Sequence, residues 1–413
     1  MADPTPPGQP VGVILQLVPI KTNNDAVGPT LVLHEGIHQL GRADDNDFVV
    51  AAPGVAQHHC RLEIQGGKVA VHRLDGNAVL SLNGKPVSGK PTSVLSGDRI
   101  TLGTRVYRIQ VVRKTTSGVT SIMHGKAGDA TTKMPAVGSE FAGYRLEAIL
   151  GAGGTAVVFR GVRPDNNTLA AVKVLRAGLN FSGGAAVRFY REAMVGGMLS
   201  AHPVAVAILE IGRSDPFTYI AMEYIDGVDC QKILDKHGKI PLKQTLDIIL
   251  PVADLLRYAH ASQLIHRDIK PGNIMVTNTG QVKLLDLGLA REEGRKDTYD
   301  LTQPSEGFGT LSFVAPEQAF DAAGVDFRAD IYSLGATLFM MLTGRSAIQV
   351  DTPADFLKKL VKEGVPNLNT VDPTLPPALC AAVANCLKMD REQRFQRYED
   401  LIRDFKAVRD TLG

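Results

Sequence analysis

From Leu264 to Arg291 the chain reads LIHRDIKPGNIMVTNTGQVKLLDLGLAR, and six of its polar residues (His266, Arg267, Asp268, Lys270, Asn273 and Asp286) stand among apolar neighbours of the kind that fold inward. Burying unpaired charge is costly, so such a group needs a ligand or internal partners. By chemical type, Asp268 can accept a proton from a hydroxyl and Lys270 can neutralise a phosphoryl group in transit. Asn273 and Asp286 offer the hard oxygens that Mg²⁺ prefers. Further upstream, GAGGTAVVFRG follows a strand-like run, and Gly151 and Gly153 would let backbone N–H groups close over phosphates where a side chain would hold the loop away. Lys173 lies within the apolar run LAAVKVL, a costly place for an ammonium group without a partner.

These residues need elements to position them. Tyr144 to Leu150 reads as a strand, Asp165-Asn166-Asn167 as a turn, and Leu169 to Leu175 as another strand. VRFYREAMVGGML is helical in pattern, and Leu242 to Ala261 is amphipathic at helical spacing with Pro251 inside it, which predicts a kink. Phe327 to Leu342 is apolar nearly all round and should be a buried central helix capped by Gly344.

The order and gaps of the polar set, H-R-D-x-x-x-x-N followed by D-x-G across the strand-like VKLLDL, resemble the catalytic loop and metal-binding motif of protein kinases. The glycine turn is similar to that family's G-x-G-x-x-G-x-V loop, with Ala156 in the place of the third glycine. Lys270 stands where Ser/Thr-directed members carry lysine. The resemblance implies Asp268, Lys270 and Asn273 as catalytic residues, and Asn273 and Asp286 as ligands of Mg²⁺. It places ATP against Leu150, Gly151, Gly153, Val158, Ala171, Lys173, Glu192, Met222, Glu223, Ile225 and Met275. Glu192 would pair with Lys173, Met222 would be the gatekeeper, Glu223 and Ile225 would meet adenine through their backbone, and Met275 would form its floor. Thr302, Ser305 and Thr298 are the candidate activation-loop phosphosites, in that order, and Thr310 would approach Asp268 and Lys270. Asp330 would brace the catalytic loop and Glu317 would pair with Arg394. The last family motif lies close to Gly413, so no sensor domain is expected after it.

With 413 residues, 44% hydrophobic and 21% charged, the chain is expected to fold as two globular domains. A formal net charge of +2 gives no electrostatic case for nucleic acid or a membrane surface. MADPTPPGQP lacks the basic and apolar regions of a secretory signal, and no apolar run is long enough to span a bilayer, so a cytoplasmic location is expected. The four cysteines, Cys60, Cys230, Cys380 and Cys386, lack metal-ligand spacing and are expected as packed, reduced thiols.

Val11 to Arg113 is a series of short alternating runs (VGVILQLV, HCRLEI, KVAVHRL, DRITLG, RVYRIQVV) cut by turn residues, the pattern of an all-β sandwich. Asn83-Gly84 is a tight hairpin signal. Gly41-Arg42, Asn46-Asp47, His59-Cys60-Arg61-Leu62, Asn83-Gly84 and Ser96-Gly97-Asp98 resemble the forkhead-associated (FHA) family, whose members bind phosphothreonine peptides. The resemblance implies that Arg42 forks onto phosphate and that His59 supports the binding loops from below. Two departures count against ordinary binding. The family's phosphate-binding serine falls on Ala56, and its Thr-Asn pair falls on Asn77 and Ala78. Each hydrogen bond lost to a charged group weakens binding by about 1.5–3 kcal/mol. Gln57 or His58 could supply a replacement donor. An altered phosphopeptide reader and a module that docks without phosphate both remain open.

The expected organisation is therefore multi-domain, an N-terminal all-β FHA-like sandwich followed by a C-terminal α+β bilobal protein kinase fold. Its segments are a disordered start (1–10), the sandwich (11–113), a flexible Thr/Ser/Gly linker (114–140) and the kinase domain (141–413), with an N-lobe of 141–224 and a C-lobe of 225–413. The expected activity is ATP-dependent phosphorylation of Ser or Thr in proteins, the chain itself included, with phosphothreonine peptides as further partners in cis or in trans. The rival is a nucleotide-binding scaffold without turnover whose working part is the sandwich.

Overall fold

Period-two alternation in the first hundred residues sends every second side chain inward, and the computed structural model shows the sandwich that results. It describes residues 12–20, 30–33, 35–43, 45–50, 52–65, 68–114, 134–176, 184–214, 217–285, 291–292, 312–320, 324–348, 359, 362 and 364–413. The chain forms two compact units, residues 1–198 with 208–224, and residues 199–207 with 225–413.

In the first unit the sandwich strands are β1 (Gly12–Pro19), β2 (Thr30–Leu33), β3 (Gly36–Gly41), β4 (Phe48–Val49), β5 (Cys60–Gln65), β6 (Lys68–Arg73), β7 (Leu80–Leu82), β8 (Lys85–Pro86), β9 (Thr92–Val94), β10 (Arg99–Leu102) and β11 (Arg105–Lys114). One sheet runs β4-β3-β5-β6-β9 and the other β2-β1-β11-β10-β7-β8. Leu15, Leu17, Leu62, Val71, Ile100 and Ile109 are sealed between them. The turn between β7 and β8 has Asn83 at φ 53° and Gly84 at φ 79°, the positive pair that a two-residue hairpin with matching twist requires.

The same unit continues with β12 (Glu140–Phe141), β13 (Tyr144–Ala152), β14 (Ala156–Val162), β15 (Leu169–Leu175), α1 (Gly184–Leu199), β16 (Ile208–Ser214) and β17 (Phe217–Glu223), in the sheet order β12-β13-β14-β15-β17-β16. Antiparallel register sets Val158 opposite Lys173 and Ala171 opposite Met222, so these four share one face of the sheet. That face also carries Ala156, Leu175 and Ile220, clustered with Phe189 and Ala193 of α1. The opposite face buries Phe159, Val172, Val174 and Tyr219.

The second unit holds β18 (Gly227–Asp229), α2 (Cys230–His237), α3 (Leu242–Ala261), β19 (Leu264–Ile265), β20 (Ile274–Thr277), β21 (Val282–Leu284), β22 (Arg291–Glu292), α4 (Pro316–Phe320), α5 (Arg328–Thr343), α6 (Leu368–Val371), α7 (Pro377–Cys386) and α8 (Tyr398–Asp410). Helix α5 is buried along nearly its whole length and stops at Gly344, whose φ of 72° lets its N–H bond back to the Met340 carbonyl. Pro251 lies inside α3 as expected. All four cysteines are buried free thiols, and burial pushes Cys60 and Cys230 up to about 12. Among the described residues, no helix is long and apolar enough to cross a membrane.

Candidate functional site

The second unit gathers Asp268, Lys270 and Asn273 into one hydrogen-bonded group. β19 delivers the chain to a loop that turns sharply at Arg267, which adopts the left-handed φ of 67° that a side chain disfavours. Asp330, at the start of α5, holds that turn. Its two carboxylate oxygens accept the backbone N–H groups of His266 and Arg267, each at 2.8 Å. Burial pushes the Asp330 carboxyl up, opposed by the neighbouring His266 and Arg267. Gln318 donates to the Arg267 carbonyl (3.3 Å) and Thr337 to that of Ile269 (3.2 Å), so α4 and α5 both grip the loop's main chain.

On this frame the Asn273 amide donates to the Asp268 carbonyl at 2.9 Å and to Asp268 Oδ2 at 2.7 Å, and Lys270 Nζ lies 2.9 Å from the same Oδ2. The bonds fix the carboxylate through one oxygen and leave Oδ1 outside them. Because Asn273 spends its NH₂ on Asp268, its Oδ1 is the end left for another group. A hard carbonyl oxygen is a donor that suits Mg²⁺. Leu285 N–H donates to the Asn273 carbonyl at 2.7 Å, which ties the residue before Asp286 to the same loop. Asp286 itself lies outside the described residues, as do Thr298, Thr302, Ser305 and Thr310. Ile225 is buried and Met275 half-buried. Arg394 clasps Glu317 through two parallel bonds of 2.6 and 2.7 Å, the expected pair.

In the first unit, Leu150 and Gly151 near the end of β13 and Gly153 in the turn to β14 are exposed. Arg176 Nε donates to the Gly153 carbonyl at 2.9 Å and Gly153 N–H to that of Ala156 at 2.9 Å. A Cβ added at Gly151 would meet nothing within 4 Å, and one at Gly153 would lie 3.8 Å from the Ala156 oxygen. Neither glycine has positive φ. The fold therefore demands neither, unlike Gly161, where a Cβ would press at 3.0 Å on Val172. Val158, Ala171, Lys173 and Met222 share a sheet face, Glu223 ends β17 half-buried, and α1 carries Glu192, whose side chain lies outside the description.

In the sandwich, Arg42, Gln57 and Asn77 are exposed on neighbouring loops and His58 is half-buried. The Asn46 amide staples two of these loops, donating to the Ala43 and Gln57 carbonyls at 2.7 Å each. His59 is fully buried beneath them. Its Nδ1 accepts the Ala56 N–H and its Nε2 bonds the Val79 carbonyl, both at 3.1 Å, so the ring is the neutral Nε2–H tautomer, and burial lowers its pKa. His58 Nε2 lies 3.6 Å from Asp45 and its Nδ1 3.3 Å from Asn46 Oδ1, so this ring is already engaged with the loop that follows Arg42. Sequence reasoning gave no role to Asn46, Gln318, Thr337 or Arg176. Asn46 had a visible signal as part of the FHA resemblance, whereas the other three act over distances that leave no spacing pattern.

A β-sandwich ahead of a β-rich lobe and a helical lobe, with a clamped HRD-to-Asn loop, defines a protein kinase fold preceded by an FHA-type module. Family comparison agrees, since the protein kinase domain matches residues 144–404 and the FHA domain residues 38–103. The chain belongs to the protein kinase family. It is 34% identical over 271 residues to a probable serine/threonine-protein kinase of Streptomyces coelicolor (65% of this chain, 40% of that protein). It is 35% identical over 280 residues to the serine/threonine-protein kinase PknB of Mycobacterium leprae (64% and 43%). The chain thus spans less than half the length of these relatives. A solved structure of the PknI kinase domain from Mycobacterium tuberculosis aligns over 68% of this chain and all of its own, with a TM-score of 0.51 and 27% identity.

Proposed function

We propose that the chain is an ATP-dependent serine/threonine protein kinase that acts in the cytoplasm on itself and on other proteins. The observation that carries the proposal is the Asp268 carboxylate, fixed through Oδ2 by Asn273 and Lys270 on a loop whose main chain is clamped by Asp330. In this reading the free Oδ1 accepts the proton of the substrate hydroxyl and orients its oxygen, and Lys270 stabilises the charge that develops on the transferring phosphoryl group. The exposed turn of Gly151 and Gly153, together with Lys173, positions the phosphates, Glu192 pairs with Lys173, and adenine meets Leu150, Val158, Ala171, Met222, Glu223, Ile225 and Met275. Asn273 and Asp286 would hold Mg²⁺, which would supply positive charge to offset that of the phosphates. Positioning and preorganised charge supply most of the rate.

Phosphate on Thr302, Ser305 or Thr298 would raise activity. The sandwich would take phosphothreonine peptides at Arg42, with Gln57, His58 and Asn77 beside it, in a form altered by Ala56 and Ala78. The test is a radiolabel assay with Mg·ATP and a generic protein acceptor, with Asp268→Asn as control and phosphosites mapped by mass spectrometry. Label on Ser and Thr that disappears in Asp268→Asn is the expected result. No labelling by the unaltered protein, or equal labelling by the variant, would overturn it.

A further inference from the structure

The geometry points to a cis docking interface in which the FHA sandwich is joined to the kinase β-lobe by strand addition, without phosphate and without Arg42, Gln57 or Asn77. β2 pairs with β1 on one side (Leu15↔Leu33, Leu17↔Leu31) and in parallel with the kinase strand β16 on the other (Glu210↔Thr30, Ile211↔Leu31, Gly212↔Val32). Without this pairing, β2 would be the edge of one sandwich sheet and β16 the edge of the kinase sheet. An open edge displays a row of unpaired N–H and C=O groups and invites foreign strands. Here each edge covers the other, and the two sheets run on as a single sheet of 12 strands. Strand addition of this kind takes its affinity from main-chain bonds.

Two side-chain features mark the join as built. First, Leu31 and Ile211 sit side by side across it, and the apolar cluster runs unbroken from Leu15, Leu17 and Leu33 of the sandwich, through Ile211 and Ile220, to Leu175 and to Phe189 and Ala193 of α1. Val32 and Glu210, on the other face, are also buried. Glu210 is held there by Arg163 and by the Tyr219 hydroxyl at 3.2 Å, which fixes the strand that receives β2. Second, Arg213 Nη1 donates to Asp47 Oδ1 at 3.2 Å, and the other oxygen of Asp47 accepts the Gln39 N–H at 2.8 Å. Asp47 therefore ties the loop between β3 and β4 to the kinase strand. Arg42 begins the same loop and remains exposed, as do Gln57 and Asn77, so the docking leaves those residues accessible.

The partner of the sandwich is thus the kinase lobe of its own chain. The strand it holds, β16, lies beside β17, which carries Met222 and Glu223. The interface does not depend on phosphoryl transfer, and its test reads association alone. A protease recognition sequence is placed within residues 121–128 of the full chain, the folded protein is cut, and the pieces are followed by size-exclusion chromatography at low micromolar concentration before and after phosphatase treatment. The pieces should co-elute, and phosphatase should change nothing. Asp47→Arg or Arg213→Asp should each weaken association at least tenfold, because like charges then face each other. The double variant Asp47→Arg/Arg213→Asp should recover most of it. In uncut protein, the amides of 30–33 and 208–214 should exchange faster together in either single variant and slow again in the double. Separation of the unaltered pieces on cutting, loss of co-elution after phosphatase, or equal behaviour of single and double variants would each overturn the proposal.

Discussion

Asp330→Ala removes both acceptors from the backbone N–H groups of His266 and Arg267. Each now lies 2.8 Å from a carboxylate oxygen, and Asp330 is only 1% exposed. A hydrogen bond to a charged group is worth about 1.5–3 kcal/mol, and an amide left buried without an acceptor costs a comparable amount. The turn at residues 266–267 should therefore lose about 3–6 kcal/mol against its open form. The φ of 67° at Arg267 adds about 1–2 kcal/mol of strain, and this strain now has less to hold it. Asp330→Asn restores one acceptor and turns an NH₂ toward the other amide, so its loss should be about half as large. Because the chain has two units, a single global unfolding energy is a poor gauge. Hydrogen exchange of the segment 264–275 reads the loop directly. At about 1.4 kcal/mol per factor of ten, Asp330→Ala should speed its exchange more than a hundredfold and Asp330→Asn at least tenfold, and kcat should fall in the same order because Asp268 loses its fixed frame. If exchange in that segment stays within threefold of the unaltered protein while kcat collapses, Asp330 acts on the chemistry by some route other than holding the loop, and the reasoning fails.

Gly153→Ala separates the demand of a ligand from that of the fold. A Cβ there meets only ordinary contact at 3.8 Å, so thermal stability should change by less than about 1 kcal/mol while KM for ATP rises severalfold, and an unchanged KM in steady-state assays would refute a phosphate role for the turn. His59 has a folded pKa lowered by burial, so the native sandwich takes up fewer protons than the unfolded chain. Its contribution to stability is fully present above the ordinary histidine value of 6.5 and is lost as pH falls through the lowered one, and His59→Gln should remove that part of the pH dependence in denaturant titrations. Arg394→Met leaves Glu317 without its clasp in a site where the Arg394 side chain is fully buried, and should cost about 3–5 kcal/mol in denaturation of the second unit. Arg394→Lys should recover less than half of that loss, since a point charge cannot make two parallel bonds.

What was legible in the sequence follows from how locally each feature is determined. The group of Asp268, Lys270 and Asn273 spans a few residues, so its members and their spacing are legible, while the hydrogen bonds that join them are not. The Asn83-Gly84 turn is legible for a similar reason, because the backbone twist it needs excludes most side chains. The Asp330 brace and the Glu317–Arg394 clasp join residues 63 and 77 positions apart, and only the family resemblance made them visible. The resemblance is silent on the join between β2 and β16, since it describes the sandwich and the kinase one at a time. Asp47 and Arg213 stand 166 positions apart, and nothing in either local sequence names the other. More basically, strand addition is written in main-chain N–H and C=O groups, which every residue but proline carries alike. TLVL reads as a strand, but its apolar pattern does not say whether its far edge meets water or another sheet. The choice between a phosphopeptide reader and a phosphate-free docking module therefore could not be made from Ala56 and Ala78, because those residues bear on the loops alone. The sheet edge is independent of them, so one sandwich can serve in both capacities at once.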